Sequence, residues 1–335
     1  MKNTPIERNV IDETINEFQI VDFSKATIRE VKAIASKAEA VSGVEFIKME
    51  MGVPGLPASA VGVKAEIEAL QNGIASLYPD INGLPELKKE ASDFIKAFIN
   101  VDLSPEGCVP VTGSMQGTFA SFLTCSQCDE KKDTILFIDP GFPIQKSQLR
   151  IIGAKWEQFD IYHYRGEALR EKLESYLKQG DIAAIVYSNP NNPAWICLED
   201  SELAIIGELS TRYGVIVLED MAYFCMDFRQ DLGQPWKAPY PPTVARYTDN
   251  YILMLSSSKI FSYAGQRMAV ACVSDKLFDT HYPALAERYG DSGVFGQTFV
   301  ASVLYMITSG CTASTQYGYC LLYTSPSPRD RQKSR

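Results

Sequence analysis

Polar residues that can carry out chemistry follow four short apolar runs of the sequence. The run AAIVYSN leads into the turn Asn189-Pro-Asn-Asn-Pro193, and GVIVLED ends at Asp220, three residues before Tyr223. The run YILMLSS leads to Lys259, and CVPVTG leads into the loop Gly113-Ser-Met-Gln-Gly117. Together these residues supply an amine, a carboxylate, a phenol, amides and a glycine-serine loop suited to binding phosphate. Ligands of an open parallel sheet bind beyond the carboxyl ends of its strands, so we expect these groups to share one site.

The elements that position these residues are predicted from the alternation of apolar and amphipathic segments. Apolar runs rich in valine, isoleucine and leucine are typical of buried strands, and the amphipathic stretches between them are typical of helices. We predict strands over 108–113, 134–139, 183–189, 214–220, 251–257 and 268–274, and helices over 84–99, 115–125, 166–178 and 198–213. Such alternation forms crossover units, which predicts an α/β fold: a three-layer α/β/α domain with a mostly parallel sheet.

The composition narrows the class of molecule. The chain has 335 residues, of which 46% are hydrophobic and 22% charged, enough for a sizeable core. Its formal net charge of −9 offers no basic surface to a nucleic acid, so we expect small-molecule substrates. No apolar run is long enough to span a bilayer, and the first residues are too polar for a signal peptide. The eight cysteines fit buried reduced thiols, and we predict a cytoplasmic protein without membrane or nucleic-acid partners.

Four motifs carry a resemblance to a known family, and they occur along the chain in that family's order. The strongest is S-S-S-K-I-F-S-Y-A-G-Q-R-M-A, in which Lys259 and Arg267 are eight residues apart. Upstream lie N-P-N-N-P followed by D-x-x-Y, and before them Tyr78 followed by Gly83-Leu84. Over about residues 45–308 the chain resembles the fold-type I pyridoxal-phosphate enzymes of the class I/II aminotransferase family.

The resemblance implies three catalytic residues. Lys259 would bind pyridoxal 5'-phosphate as an internal aldimine and, once released by the substrate, carry a proton. Asp220 would pair with the pyridine nitrogen of the cofactor and hold it protonated. Tyr223, together with Asn192, would hydrogen-bond the phenolic oxygen of the cofactor ring.

The resemblance also implies how the rest of the cofactor is bound. Phe142 would stack on its ring, Tyr78 would reach the phosphate of the neighbouring subunit in a homodimer, and Gly52 would lie in the entry loop. The phosphate would be bound by a helix N-terminus, two serine hydroxyls and a guanidinium. These phosphate-binding residues would be Ser114, Met115, Gln116, Ser256, Ser258 and Arg267.

The implied activity is transfer of an amino group from an amino acid to a 2-oxo acid. Two alternatives stay open: a carbon–sulfur β-lyase that uses the same cofactor, and an inactive truncated fragment. The second arises because the family continues into a small domain whose substrate-binding arginine has no counterpart here. The lone C-x-x-C of Cys125 and Cys128 is typical of structure, and we predict no metal.

The same resemblance divides the chain into three parts. Residues 1–50 are predicted to belong to the small domain, and residues 51–308 to form the cofactor-binding large domain. From Ser309 the sequence shows no helical or strand period and ends in a Ser/Pro/Arg/Lys cluster. We interpret residues 309–335 as a tail that is either non-native sequence or disordered, next to an incomplete small domain. A further departure from the family is Ala194-Trp195, where the family usually has Thr-Gly.

Overall fold

The computed structural model describes residues 5–306 and 313–324, except residues 21, 24, 25, 50, 51, 54, 81 and 291. The chain divides into two compact units, Met1–Pro54 and Gly55–Arg335. The described part of the first unit includes the helices α1 (Arg8–Glu17) and α2 (Ile28–Ser42). A capping box starts α2, because the hydroxyl of Thr27 accepts from Glu30 N and the Glu30 carboxylate accepts from Thr27 N.

The second unit contains the sheet. Its strands are β1 (Cys108–Val111), β2 (Thr134–Asp139), β3 (Lys155–Asp160), β4 (Ile182–Ser188), β5 (Ile216–Asp220), β6 (Tyr251–Ser256) and β7 (Ala269–Val273). Its helices are α3 (Ala60–Gln71), α4 (Pro85–Ile99), α5 (Gly113–Cys125), α6 (Pro143–Ile152), α7 (Glu167–Leu177), α8 (Asp200–Tyr213), α9 (Ser257–Ile260), α10 (Asp275–Asp279), α11 (Pro283–Tyr289), α12 (Phe295–Met306) and α13 (Ala313–Thr324). Within the described residues, no helix is both long and apolar enough to cross a bilayer.

The sheet is mostly parallel, as the alternation of elements predicts. Its strand order is β1-β7-β6-β5-β4-β2-β3. Strands β6, β5, β4, β2 and β3 run parallel to one another, whereas β7 runs antiparallel to both of its neighbours, β1 and β6. The edge strand β3 was not predicted, because its sequence KWEQFD is largely exposed and lacks an apolar run.

Helices cover both faces of the sheet and complete the predicted three layers. On one face α4, α7 and α8 contribute Phe94, Leu173 and Leu203 to a core that also contains Leu253 of β6. On the other face α5, α6 and α12 contribute Phe122, Leu149 and Phe299, and Met254 of β6 joins them. Adjacent residues of one strand enter opposite cores because side chains alternate along a strand. The α/β/α fold class is therefore confirmed.

Helix α13 lies inside the segment for which the sequence predicted neither helix nor strand. That expectation is wrong for Ala313–Thr324, which form a helix packed against α3 and α4. Tyr319 and Tyr323 are buried, and the Tyr323 ring lies 4.6 Å from that of Phe94. Burial of these rings, rather than a local period, stabilises the helix. The remainder of the predicted tail lies outside the described residues, and the predicted domain assignments stay predictions.

Candidate active site

The predicted acid and amine follow the ends of two neighbouring strands. Asp220 is the last residue of β5 and pairs in register with Met254 of β6. Two residues after Met254, β6 ends at Ser256, and Lys259 lies in the short helix α9 that follows. Because β5 and β6 are parallel, both functional groups are delivered to the same edge of the sheet.

Asp220 is a buried carboxylate whose hydrogen-bond donors are neutral. Its Oδ2 accepts from Nε2 of Gln145 at 3.1 Å, and its Oδ1 accepts from the backbone N of Ala222 at 3.2 Å. Burial raises the pKa of Asp220 to about 6, and the two hydrogen bonds act in the opposite direction. A buried carboxylate in this setting favours a cationic or N–H-bearing ligand.

Gln145 is a site residue that the sequence analysis missed. It lies in the first turn of α6, three residues after Phe142, and is 4% exposed. The one feature of the sequence that could have indicated it is its position shortly after the Asp139-Pro140 turn, which follows β2. A glutamine on an amphipathic helix is usually a surface residue, so spacing alone gave no reason to select it.

Lys259 is half-buried and its amine has a lowered pKa. Loss of hydration on burial is the larger cause, and the positive charge of Arg267 is the second. The backbone that carries Lys259 is fixed by two serines: Ser256 Oγ accepts from Ser258 N at 3.2 Å, and Ser257 Oγ donates to Met268 O at 2.7 Å. A lowered pKa increases the neutral fraction of the amine, which is the nucleophilic form.

Arg267 is brought to the site by the antiparallel strand β7. Ala269 at the start of β7 pairs with Val111 of β1 on one side and with Ser256 of β6 on the other. Arg267 precedes it by two residues and therefore lies between the carboxyl ends of β1 and β6. Its guanidinium rests against Gly113, where an added Cβ would lie 2.6 Å from Nη2.

The loop after β1 forms the N-terminus of α5 beside Arg267. Gly113 has φ +72°, which glycine adopts without strain. The hydroxyl of Ser114 is buried and has no hydrogen-bond partner among the described residues. A free helix N-terminus, an unsatisfied hydroxyl and a guanidinium are the groups expected of a phosphate site.

Two glutamines fix this loop from behind. The Gln116 side chain turns into the interior, where Oε1 accepts from Thr112 N at 2.5 Å and Nε2 donates to Val303 O at 3.1 Å. Gln148 of α6 donates to Met115 O at 2.7 Å. The side chains of Gln116 and Gln148 are therefore engaged, and the loop can offer a ligand the hydroxyl of Ser114 and the backbone amides of Met115 and Gln116. The predicted roles of these residues in phosphate binding stay predictions.

The turn after β4 lies next to Asp220. Asn189 shapes this turn, since its N donates to Asp220 O at 3.1 Å and its Oδ1 accepts from Leu198 N at 3.0 Å. Asn192 N donates to Ser188 Oγ at 3.1 Å, which fixes the backbone from which its amide projects. Tyr223 is half-buried, and burial together with the charge of Asp220 raises the pKa of its phenol.

Two further predicted cofactor residues, Phe142 and Tyr78, differ in their exposure. Phe142 is half-buried at the N-terminal cap of α6, one turn before Gln145. Tyr78 is 98% exposed in the segment before α4. Their predicted roles, stacking on a ring and reaching a neighbouring subunit, both require a molecule other than this chain, and they stay predictions. Gly52 belongs to the other unit and also stays a prediction.

Comparison with known proteins identifies the family. The family model described as aminotransferase class I and II matches residues 44–308. The chain belongs to this family. The family's cofactor is pyridoxal phosphate.

Individual relatives agree with this assignment. The chain is 24% identical to a probable aspartate aminotransferase of Methanocaldococcus jannaschii over 75% of its length and 61% of that protein. It is 28% identical to the glutamate-pyruvate aminotransferase AlaC of Escherichia coli over 78% of its length and 61% of that protein. The fold is that of the aspartate aminotransferase of Thermotoga maritima, with a TM-score of 0.73 at 19% identity over 98% of this chain and 76% of the other. The chain thus spans about three fifths of the curated relatives it matches.

The residues present fit pyridoxal phosphate. Asp220 lacks a cationic partner in the described chain, which suits a protonated ring nitrogen. The unsatisfied Ser114 hydroxyl, the Gly113 turn and the Arg267 guanidinium suit the phosphate, and the amine of Lys259 suits the aldehyde. The three functional groups of the cofactor therefore each find a chemically matched group at one edge of the sheet.

Proposed function

We propose that this chain is the cofactor-binding part of a pyridoxal-phosphate-dependent aminotransferase, which moves an amino group from an amino acid to a 2-oxo acid. The observation that carries the proposal is the delivery of Asp220, at the end of β5, and Lys259, in the helix after the adjacent strand β6, to one edge of the sheet, with burial acting on both pKa values. The names of the relatives, aspartate and glutamate-pyruvate aminotransferases among them, support amino-group transfer over the carbon–sulfur lyase alternative.

The residues have distinct tasks in this reaction. When bound, pyridoxal phosphate supplies an aldehyde that condenses with amines and a ring that withdraws electrons. Asp220 would hold the proton of the ring nitrogen, and Gln145, which donates to its Oδ2, would keep the carboxylate oriented. Lys259 Nζ is the nucleophile and then carries a proton to and from the substrate's α-carbon.

The remaining residues bind and orient. The amides of Met115 and Gln116 and the side chains of Ser114, Ser256, Ser258 and Arg267 bind the phosphate. The Tyr223 hydroxyl and the Asn192 amide hydrogen-bond the ring oxygen, and Phe142 covers the ring. Residues 51–308 form this large domain, and residues 1–50 belong to the small domain.

We also propose that the site is completed in a homodimer. On α3 the apolar side chains Val63, Ile67 and Leu70 are 37%, 49% and 46% exposed and are spaced as one helix face. Leu77 and Tyr78 nearby are still more exposed. An exposed apolar face next to a fully exposed tyrosine supports a second copy of the chain as the partner.

We propose a cytoplasmic location because the described cysteines are free, buried thiols. Seven cysteines within the described residues are buried thiols, and burial raises the pKa of Cys125 and Cys197 among them. Thiols in such an apolar setting fit a reducing compartment.

Reduction with borohydride tests the cofactor assignment. The protein, loaded with pyridoxal phosphate and freed of unbound cofactor, should show a visible absorbance band that borohydride removes, and mass spectrometry should then find the cofactor attached to Lys259. Lys259→Ala should lack the band, while Lys131→Ala, at an exposed position, should keep it. A band that persists in Lys259→Ala would refute the assignment, and oxo-acid-dependent turnover without sulfide release distinguishes transfer from lysis.

Mixing two inactive variants tests the shared site. Lys259→Ala and Tyr78→Phe should each be impaired alone. If Tyr78 acts across the interface, random exchange of subunits should restore up to about a quarter of wild-type activity, because half of the dimers then contain one intact site. No recovery in a mixture shown to be dimeric by sedimentation would contradict the shared site.

A further inference from the structure

Three aromatic side chains form a continuous surface at the edge of the candidate active site; we call Trp195, Tyr223 and Phe228 the aromatic rim. The ring of Trp195 meets that of Tyr223 edge to face, at 5.3 Å and 72°. On its other side it stacks on Phe228 at 6.3 Å and 13°. Tyr223 is half-buried, whereas Trp195 is 43% and Phe228 62% exposed. The rim therefore runs from the interior of the site out to solvent.

Trp195 is held in this place by a closed turn. Its N donates to Asn191 O at 3.0 Å, and Asn191 N donates to Ile196 O at 2.8 Å. The Asn191 side chain accepts from Ala194 N at 3.0 Å and donates to Pro140 O at 2.6 Å. The tryptophan thus projects from a turn that is tied to the chain at both ends.

The backbone of Trp195 is in an unfavourable conformation. Its φ is +56°, in the left-handed region that bulky L-residues avoid and glycine adopts freely. A strained backbone conformation persists only where the surrounding contacts enforce it, and such conformations are concentrated at ligand-binding sites. Packing on Tyr223 alone does not explain why a tryptophan occupies position 195, because much of the indole is exposed to solvent.

The two sequence neighbours of Phe228, Asp227 and Arg229, form an ion pair with each other. The guanidinium of Arg229 donates to Asp227 Oδ2 at 2.8 Å and to Glu199 Oε1 at 3.0 Å. These bonds hold the backbone on both sides of Phe228 while the phenyl ring is exposed. An exposed aromatic ring on a fixed loop is pre-organised to bind a flat apolar group.

We propose that Trp195 and Phe228 form the subsite that binds the side chain of the amino acid substrate, and that this side chain is apolar and preferably aromatic. The inference rests on the proposed function. Tyr223 follows Asp220 by three residues, and the turn that carries Trp195 follows β4, whose Ser188 pairs with Asp220, so the rim lies at the same edge of the sheet as Lys259. The negative faces of the rings disfavour the carboxylate of an acidic side chain. An aromatic ring on the substrate should increase its affinity about three- to tenfold more than burial of its surface alone would.

Titration of the cofactor's absorbance with amino acids tests the subsite. The wild-type chain loaded with pyridoxal phosphate should bind L-phenylalanine more tightly than L-aspartate or L-alanine. Trp195→Ala should weaken L-phenylalanine about tenfold and L-alanine less than twofold. Trp236→Ala removes a tryptophan that is 64% exposed elsewhere, and should change neither.

A second variant separates binding from folding. Trp195→Gly relieves the left-handed backbone, so its unfolding midpoint should match or exceed that of the wild type while its affinity for L-phenylalanine falls. Equal loss for all amino acids, no loss in either Trp195 variant, or wild-type preference for L-aspartate would overturn the subsite. If the wild-type chain shows no borohydride-sensitive band at all, both the proposed function and the subsite are wrong. If the band is present but L-phenylalanine binds no more tightly than the other amino acids, only the subsite is wrong.

Discussion

The side-chain amide of Gln145 donates from Nε2 to Oδ2 of Asp220 over 3.1 Å, and both residues are buried. The second carboxylate oxygen accepts from Ala222 N. Both oxygens therefore have donors before any ligand binds, and the carboxylate is oriented in advance. Because the donors are neutral, they stabilise the ionised carboxylate only in part, and burial still raises the pKa of Asp220 to about 6.

Removing the amide of Gln145 should raise the pKa of Asp220 further. A hydrogen bond to a charged group contributes about 1.5–3 kcal/mol, so the pH at which cofactor binding is half-maximal should rise by about one unit or more in Gln145→Leu. The measurement is the dissociation constant of pyridoxal phosphate as a function of pH. Gln148→Leu, on the same helix, removes the donor to Met115 O and should weaken binding at every pH without moving the midpoint. An unchanged midpoint in Gln145→Leu would show that Gln145 does not act on Asp220.

Apolar runs allowed most of the sheet to be predicted from the sequence. Buried strands such as Thr134–Asp139 are apolar almost throughout, and they begin and end within two residues of their predicted limits. The edge strand Lys155–Asp160 was missed because one row of hydrogen bonds, rather than burial, defines it. Helix α13 was missed because contacts with α3 and α4, which are distant in sequence, stabilise it.

The candidate site was predictable where a residue lies directly after a strand. Asp220 and Lys259 follow apolar runs, so their common edge follows from the parallel sheet. The contact of Gly113 with Arg267 depends on β7 running antiparallel between β1 and β6, and no local pattern contains this information. The contact of Gln145 with Asp220 depends on how α6 packs, which the sequence does not specify either.

A buried acid beside the site should make folding stability depend on pH. Glu219 of β5 is 0% exposed, and its carboxylate accepts from Thr243 Oγ1 at 2.7 Å and from Val244 N at 3.0 Å. Burial nevertheless raises its pKa to about 7. A group whose pKa is higher in the folded state contributes stability below its unfolded pKa, and this contribution is lost as pH rises through about 7.

Glu219→Gln should remove this dependence. The difference between the free energy of unfolding of the variant and that of the wild type should increase by a few kcal/mol from about pH 5 to about pH 8. Between the unfolded-state and folded-state pKa values of Glu219, the increase is about 1.4 kcal/mol per pH unit. Urea unfolding of the cofactor-free chain at each pH measures it. Glu130→Gln, at an exposed position, should run parallel to the wild type. A difference that stays constant with pH would mean that Glu219 is ionised throughout.

A methyl group at Gly113 should disrupt the proposed phosphate site. Gly113→Ala places Cβ 2.6 Å from Arg267 Nη2 and also imposes φ +72° on an alanine. Gly153→Ala imposes nearly the same backbone penalty, about 1–2 kcal/mol at φ +71°, with nothing within 4 Å of the new Cβ. Both variants should lose thermal stability, but only Gly113→Ala should raise the dissociation constant of pyridoxal phosphate, by about tenfold or more. Equal cofactor affinity in the two variants would place the phosphate elsewhere.

The charge of Arg267 should set part of the reactivity of Lys259. Arg267 lowers the pKa of the Lys259 amine, second to burial. Arg267→Gln removes the positive charge, so the pKa of Lys259 should rise and the neutral amine should become scarcer at a given pH. The pH dependence of trinitrophenylation of Lys259 in the cofactor-free chain, followed by peptide mass spectrometry, measures this change.

Arg267→Lys is the matched control because it keeps the charge but loses the planar pair of donors. Its Lys259 labelling profile should overlay that of the wild type, while its affinity for inorganic phosphate falls. Arg267→Gln should instead shift the labelling profile to higher pH and also lose phosphate affinity. An equal rise in both variants would mean that the shape of the Arg267 side chain, rather than its charge, controls the amine.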